Sequence, residues 1–404
     1  MKEWNNIKLK NIIAKIIDNR GKSAPISDNG IYPIIEINAI GGFYPDYSKI
    51  RKYVSTDIYN SWFRAGHPEE NDILIPTVGT IGITSMMDKT QACIAQNLIA
   101  LRLRPDVNPL YVYYFLKSDY TKQHLINLNI GGVQPSIKVP HLLELSIPLP
   151  KLKVQNAIAN ILHSLDQKIE LNRQINDNLE QQAQALYKSW FVDFEPFKDG
   201  DFVESELGLI PEGWKVVELG EVTKQITEKV KNRTDVKVLS PVTTGELVLS
   251  EEYFTKQVFS ESIAKYIVVK PLQFAYNPAR VNIGSLGMNT FEFDGCVSPV
   301  YVVFECERDY QYFFDYFRKT EAFKEEVLAR AIGGVRQSLS YKDFSLIKLI
   351  YPPRTIVEKF NRLYSNILVS INHNKVEANN LTDMRDTLLP KLMSGELKIN
   401  KIDC

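Results

Sequence analysis

Two stretches of this 404-residue chain place apolar side chains at every seventh position. Ile158, Leu165, Leu179 and Leu186 keep that spacing around a single polar slot, Asn172. Phe360, Ile367, Leu381 and Leu388 keep it again around Asn374. Secondary positions (Ile161, Leu162, Ile169, Ile175, and Leu363, Tyr364, Ile371, Met384) complete an a/d-like stripe on each run. Each run starts after a proline, Pro150 or Pro352-Pro353, and continues without Pro or Gly for roughly 35–40 residues, which predicts a helix about 55–60 Å long. The obvious partner of each helix is the other. One buried Asn in such a seam costs stability but fixes register and orientation; the alternative puts Asn172 and Asn374 just off the seam in solvent.

Ahead of each run the pattern changes to short apolar segments bounded by turn residues. Ile73-Leu74-Ile75, Cys93-Ile94-Ala95 and Leu98–Leu101 read as strands, and Leu110–Leu116 and Tyr120–Leu128 as helices. The plan then recurs. Phe274-Ala275-Tyr276, Val297 and Val300–Phe304 read as strands, and Tyr312–Phe317 and Phe323–Leu328 as helix. Short motifs repeat about 202 residues apart. Ile130-Gly131-Gly132-Val133-Gln134-Pro135-Ser136-Ile137 returns as Ile332-Gly333-Gly334-Val335-Arg336-Gln337-Ser338-Leu339, and Ile81-Gly82 returns as Ile283-Gly284. Trp4 and Trp214 open the two halves at a slightly larger offset. Two copies are too few for a solenoid, so a whole domain with its connector is duplicated. The expected fold is α+β: two mixed α/β domains in pseudo-two-fold arrangement, joined by two long helices forming an antiparallel coiled coil. The expected boundaries are 1–150, 151–195, 196–352 and 353–404.

Composition adds exclusions. Apolar content of 44% and charged content of 24% are ordinary for a soluble globular protein. No apolar run is long enough to span a bilayer and the start lacks a signal-peptide core, so a cytoplasmic chain is expected. The four cysteines lack C-x-x-C spacing, and Cys93 and Cys296 read as buried small residues. The five histidines show no metal-ligand spacing, so no metal site is expected. Gly21-Lys22-Ser23 lacks the earlier glycine of a phosphate-binding loop, since Ile16 stands there. Asn277-Pro278-Ala279-Arg280 and Tyr351-Pro352-Pro353-Arg354 both fail as the Asn/Asp-Pro-Pro-aromatic loop of an amino-methyltransferase. The chain therefore reads as no enzyme. Zero net charge counts against a stand-alone, non-specific nucleic-acid binder, but not against a subunit that reads bases while a partner holds the backbone.

Side chains able to read or grip DNA collect on loops. Gly131-Gly132 leads into Gln134 and Ser136, and Gly333-Gly334 into Arg336, Gln337 and Ser338. Glycine lets the backbone approach a surface closely; Gln can pair bidentately with adenine, and Arg with guanine or a phosphate. An ordinary turn before a strand is the plainer reading of either copy alone. A second loop holds Asn277, Arg280, Asn282 and Ser285, with Thr77 and Thr80 in its counterpart. A third, Asn19-Arg20-Gly21-Lys22-Ser23, places Arg20 and Lys22 on a basic turn suited to phosphates.

Together these motifs resemble the specificity (S) subunit of type I restriction-modification enzymes. The resemblance covers nearly the whole chain. Its most telling pieces are Leu186–Phe197, Ser205–Trp214, both Gly-Gly-Val loops and the tail Leu388–Leu397. It implies two target-recognition domains, each reading half of a bipartite double-stranded DNA target, on conserved helical regions that pair as an antiparallel coiled coil and set the spacer. It further implies methylation (M) subunits, two of them expected, that bring S-adenosylmethionine chemistry to adenines. Restriction (R) subunits would bring ATP- and Mg-dependent translocation and cleavage. No cofactor is then expected on this chain. The competing class is a coiled-coil scaffold or adaptor with no DNA role. The shared motifs are embedded in diverged loops, Pro76–Thr80 against Pro278–Asn282, so the target is expected to be asymmetric.

Overall fold

The computed structural model describes residues 4–21, 23–127, 135–254, 259–260, 262–330 and 338–397. The chain divides into two compact units. The first joins residues 1–174 to residues 374–404, and the second is the continuous stretch 175–373. Two 40-residue helices, Leu152–Phe191 and Arg354–Met393, each contribute one half to each unit.

In the first unit a four-stranded antiparallel sheet runs in the order Ile13–Ile17, Leu98–Leu103, Ile73–Pro76, Ser85–Met86. A second sheet orders Tyr53–Val54, Tyr32–Ile35 and Cys93–Ile94, the last pair parallel. Asn5–Lys8 pairs with Ser146–Leu149, so the start of the domain closes on the strand that feeds the long helix. The helix Pro109–Lys117 lies in the core, where Tyr111, Val112, Tyr113, Tyr114, Phe115 and Leu116 are all buried. Asn108 starts this helix, accepting from the Tyr111 amide while Pro109 supplies a pre-set φ. Ile158, Ala159 and Leu162 join this core from the first long helix, and Leu389, Leu392 and Met393 from the second.

The second unit repeats the plan with different side chains. Its main sheet orders Thr223–Ile226, Val302–Cys306, Phe274–Tyr276 and Leu286–Met288, the same connectivity as in the first unit. Cys296 sits on a strand parallel to Lys237–Pro241, as Cys93 sits parallel to Tyr32–Ile35. Burial pushes the Cys93 thiol up to about 12 and the Cys296 thiol up to about 11, so both behave as small apolar side chains. The core here is aromatic: Phe274, Phe304, Phe313, Phe314, Phe344 and Phe360 are buried together. Phe191, Phe194 and Phe197, just past or at the end of the first long helix, pack around Trp214 with ring centroids 6.0, 5.4 and 5.2 Å away. A hairpin, Phe202–Ser205 with Gly208–Pro211, was not legible in the apolar pattern, because Val203, Leu207 and Leu209 on it are exposed.

The long helices meet in both units. In the first, Asp166 is bridged by Arg385 at 2.7 Å, and Lys168 pairs with Glu377 at 3.2 Å. In the second, Asn176 Nδ2 donates to Ile371 O at 3.2 Å, and Tyr187 faces Phe360 at 6.2 Å. As residue numbers rise along one helix, those of the partners fall along the other. Asn172 is buried in this contact. Its Nδ2 donates to Glu377 Oε2 at 2.7 Å and to Asn374 O at 3.5 Å. Asn374 is half-buried. The apolar positions at strict seven-residue spacing are all buried or half-buried, but the secondary positions only partly join the seam. Ile175, Leu363 and Met384 are 38%, 46% and 52% exposed, so the buried stripe is narrower than the apolar pattern.

Candidate nucleic-acid interface

The two loops singled out in each half are one structure. In the first unit the strand Ile73–Pro76 runs into Thr77–Thr80, and this loop is stitched to the segment that follows residue 134. Ile137 N donates to Thr77 O and Gly79 N to Pro135 O, both at 2.8 Å, and Val78 bridges Ser136. In the second unit Leu339 N donates to Pro278 O at 3.1 Å, and the buried Tyr276 hydroxyl donates to Leu339 O at 3.2 Å. Each unit therefore holds its strand-end loop against the segment leaving the Gly-Gly-Val motif.

The loop of the second unit is heavily anchored. Asn277 N donates to Ser285 O at 3.0 Å, Ser285 N to Arg280 O at 3.1 Å, and Arg280 N to Asn277 O at 2.9 Å. The Asn277 side chain also accepts from Ala279 N at 3.0 Å. A single 3-10 turn, Val281–Ile283, follows, and buried Val281 pins it to the core. Gly284 ends the turn at φ +94°, and a Cβ there would come within 2.6 Å of Thr243 O; no other residue fits that close approach. The anchored loop leaves Arg280 exposed, Asn277 and Asn282 half-buried, and Ile283 56% exposed at the tip. In the first unit Thr80 is exposed and Ser136 half-buried, while Ile81, the counterpart of Ile283, packs against the core.

Two of the expected contact residues take a different place. Ser285 is buried and its hydroxyl donates to Pro241 O at 2.8 Å. Thr77 is buried and its hydroxyl reaches Asn97 O at 3.3 Å. Both side chains hold their loops from beneath, since a buried hydroxyl must find an acceptor. Arg20 is exposed, but Asp18 occupies its guanidinium through bonds of 2.7 and 2.5 Å and is held below the usual carboxylate range by them. Its turn is anchored elsewhere, by Asn19 on Ala65 and Gly66. Ser338 is exposed beside Leu339. Lys22, Gln134, Arg336 and Gln337, with both Gly-Gly pairs, lie outside the described residues.

A residue that patterning missed positions the second loop. Arg318 is nearly buried and donates to Leu286 O and Gly245 O, both at 2.8 Å, while Asp315 accepts from it at 2.6 and 2.9 Å. It thus ties the strand leaving the loop to the turn beneath Gly284. The available signal was a charged residue in an aromatic helix segment, where the first half has Leu116. A groove of about 1300 Å³ opens beside this loop, lined by Asn282, Ile283, Lys319, Lys324 and Arg330 among others. Among the described residues no group of three or more His, Cys, Asp or Glu is placed to hold a metal ion. No described helix is long and apolar enough to cross a membrane.

A repeated α+β unit, built on halves of two long helices and holding a loop pair in each copy, defines a class of protein with two like units in one chain. Residues 1–181 match the family model described as "Type I restriction modification DNA specificity domain". The specificity subunit of the type I restriction enzyme MjaIX from Methanocaldococcus jannaschii is 27% identical over 344 residues, spanning 80% of this chain and 79% of its own. That of the HindI enzyme from Haemophilus influenzae is 23% identical over 367 residues, spanning 73% and 79%. The fold is similar to that of a type I restriction-modification S subunit from M. genitalium, with a TM-score of 0.59 over 96% of each chain at 18% identity. The first 181 residues thus match a type I restriction-modification DNA specificity domain, and over most of its length the chain is similar to type I specificity subunits.

Proposed function

We propose that the chain is the DNA-recognition subunit of a type I restriction-modification complex and that its two units read the two halves of an asymmetric, bipartite double-stranded target. The observation that carries this reading is the loop pair found in both units: the segment following the Gly-Gly-Val motif is hydrogen-bonded to the strand-end loop by Ile137 N to Thr77 O in one and by Leu339 N to Pro278 O in the other, with different side chains around it. A shared frame with unlike exposed residues is what two readers of two different sequences need, because frame and phosphate contacts fix position while side chains at base edges specify. In this reading Arg280, Asn277, Asn282, Ser338, Arg336 and Gln337 face the second half-site. Thr80, Gln134 and Ser136 face the first, with Arg20 and Lys22 toward phosphates. The long helices pair as one antiparallel coil that sets the spacer; the falling order of partners along them supports this. Chemistry belongs to partners: two methylation subunits carrying S-adenosylmethionine, and restriction subunits using ATP and Mg. The chain itself binds no cofactor, catalyses nothing and works in the cytoplasm beside its DNA.

The test is to assemble the chain with its methylation subunits and map the modified adenines. One bipartite, non-palindromic sequence is expected. Arg280→Ala is expected to weaken or relax only the second half-site, by roughly 1–3 kcal/mol if it contacts a base. Absence of sequence-selective methylation by the assembled complex would leave the scaffold reading standing instead.

A further inference from the structure

One pattern is explained neither by packing nor by the reading loops. Lys117-Ser118-Asp119-Tyr120-Thr121-Lys122 returns as Lys319-Thr320-Glu321-Ala322-Phe323-Lys324, in the same register as the Gly-Gly-Val motifs. The geometry returns with it. Ser118 Oγ donates to Phe115 O at 2.7 Å and accepts from Thr121 N at 3.3 Å. Thr320 Oγ1 donates to Phe317 O at 2.7 Å and accepts from Phe323 N at 3.3 Å. Each hydroxyl closes one helix and opens the next, Asp119–Asn127 or Glu321–Arg330. In the first turn of that next helix, Lys122 pairs with Asp119 at 3.3 Å and Lys324 with Glu321 at 2.6 Å.

The hydroxyls and the buried Thr121 and Phe323 belong to the scaffold. The lysines do not, since their side chains are 42% and 54% exposed and exposed pairs of this kind add little stability. Both nevertheless lie beside the reading loop. A Cβ on Gly82 would sit 3.4 Å from Lys122 Cγ, so the stem of Lys122 lies against the first loop. Lys324 lines the groove shared with Asn282 and Ile283. The bases of two half-sites differ, whereas their phosphates are chemically identical. Base readers must therefore diverge between the units, while a phosphate holder can stay the same.

We propose that Lys122 and Lys324 each bind one backbone phosphate of the DNA, one in each half-site, and that Asp119 and Glu321 hold the ammonium groups until phosphate displaces the carboxylates. This rests on the reading of the chain as a DNA-recognition subunit. It also reconciles zero net charge with phosphate binding, because each contact cation carries its own counter-charge when DNA is absent.

The experiment uses the complex with its methylation subunits, a duplex carrying the mapped target, a scrambled duplex, and a salt series. Lys122→Gln and Lys324→Gln should each reduce the slope of log K against log salt by about 0.9, and the double variant by about 1.8, on both duplexes. The methylated sequence should not change. Asp119→Asn and Glu321→Gln should tighten binding at low salt. An unchanged slope in the double variant would overturn the proposal. So would weaker binding at an unchanged slope with a lowered melting temperature, which marks a structural role. An altered methylated sequence would overturn it in favour of base contacts. Failure of the DNA-recognition reading has a separate signature, a wild-type complex without sequence-selective methylation, and would overturn both.

Discussion

Asp315 and Arg318 form the most enclosed ion pair that bears on the second reading loop. Burial opposes the charge on Asp315, but Arg318 and Lys319 outweigh it and hold the carboxyl below its ordinary value of 3.8. A depressed carboxylate stabilises the fold fully above its unfolded value, and that contribution is lost as pH falls through the lower folded value. The urea midpoint of the second unit should therefore drop as pH falls below about 4, and more steeply than in Asp315→Asn. Arg318→Met leaves the carboxylate short of its main partner and should cost about 3 kcal/mol, while Asp315→Leu with Arg318→Met should recover much of it. Denaturant titration of both variants checks the pair. Asn172 works at the same scale. Its Oδ1 is buried with no hydrogen-bond partner among the described residues, an omission that costs roughly 1–3 kcal/mol. Asn172→Leu is expected to raise stability by about 1 kcal/mol, and to loosen helix register, read as a broadened distance between spin labels on the two helices.

At the scale of elements, patterning found what is periodic and missed what is irregular. The long helices were legible because about ten turns of apolar spacing cannot be mistaken for strand periodicity. Phe274–Tyr276 and Leu98–Leu103 were legible as buried apolar runs. Ile13–Ile17 and Thr223–Ile226 were not, because polar residues such as Lys15, Lys224 and Gln225 interrupt them at the edge of their sheets. The candidate loops could be named one by one, but not their pairing. That pairing consists of backbone bonds such as Ile137 to Thr77, which leave no side-chain signature. Burial of Thr77 and Ser285 was equally invisible, since Ser and Thr serve as loop pins and as DNA contacts alike. The helix pairing carries its own prediction. Four extra residues in both long helices lengthen them by about 6 Å, and the unmodified gap between the methylated half-sites should grow by about two base pairs at 3.4 Å each. An unchanged gap would rule out the spacer role.

For the whole molecule, the two units are alike in strand connectivity and unlike in core chemistry. Tyrosines fill the helix Pro109–Lys117 where phenylalanines dominate Gln311–Phe317. The first unit is completed by Leu389, Leu392 and Met393 from the far end of the chain, and Gly395 lies against the ring of Trp4. Truncation after residue 385 should therefore destabilise the first unit by several kcal/mol, at about 2–5 kcal/mol for each large core side chain lost. The second unit, which contains none of these residues, should keep its melting transition. Calorimetry of the truncated chain would separate the two.

The same discontinuity sets an order of events during synthesis. The second unit is one unbroken stretch, but the first needs the last turns of a helix that ends at Met393. At about 5–20 residues per second, the first unit waits roughly 10–40 s on the ribosome, its apolar face uncovered, for about two hundred later residues. The customary N-to-C order of domain folding is thereby reversed. A free chain ending near residue 375 should resist protease across the second unit while the first is still digested.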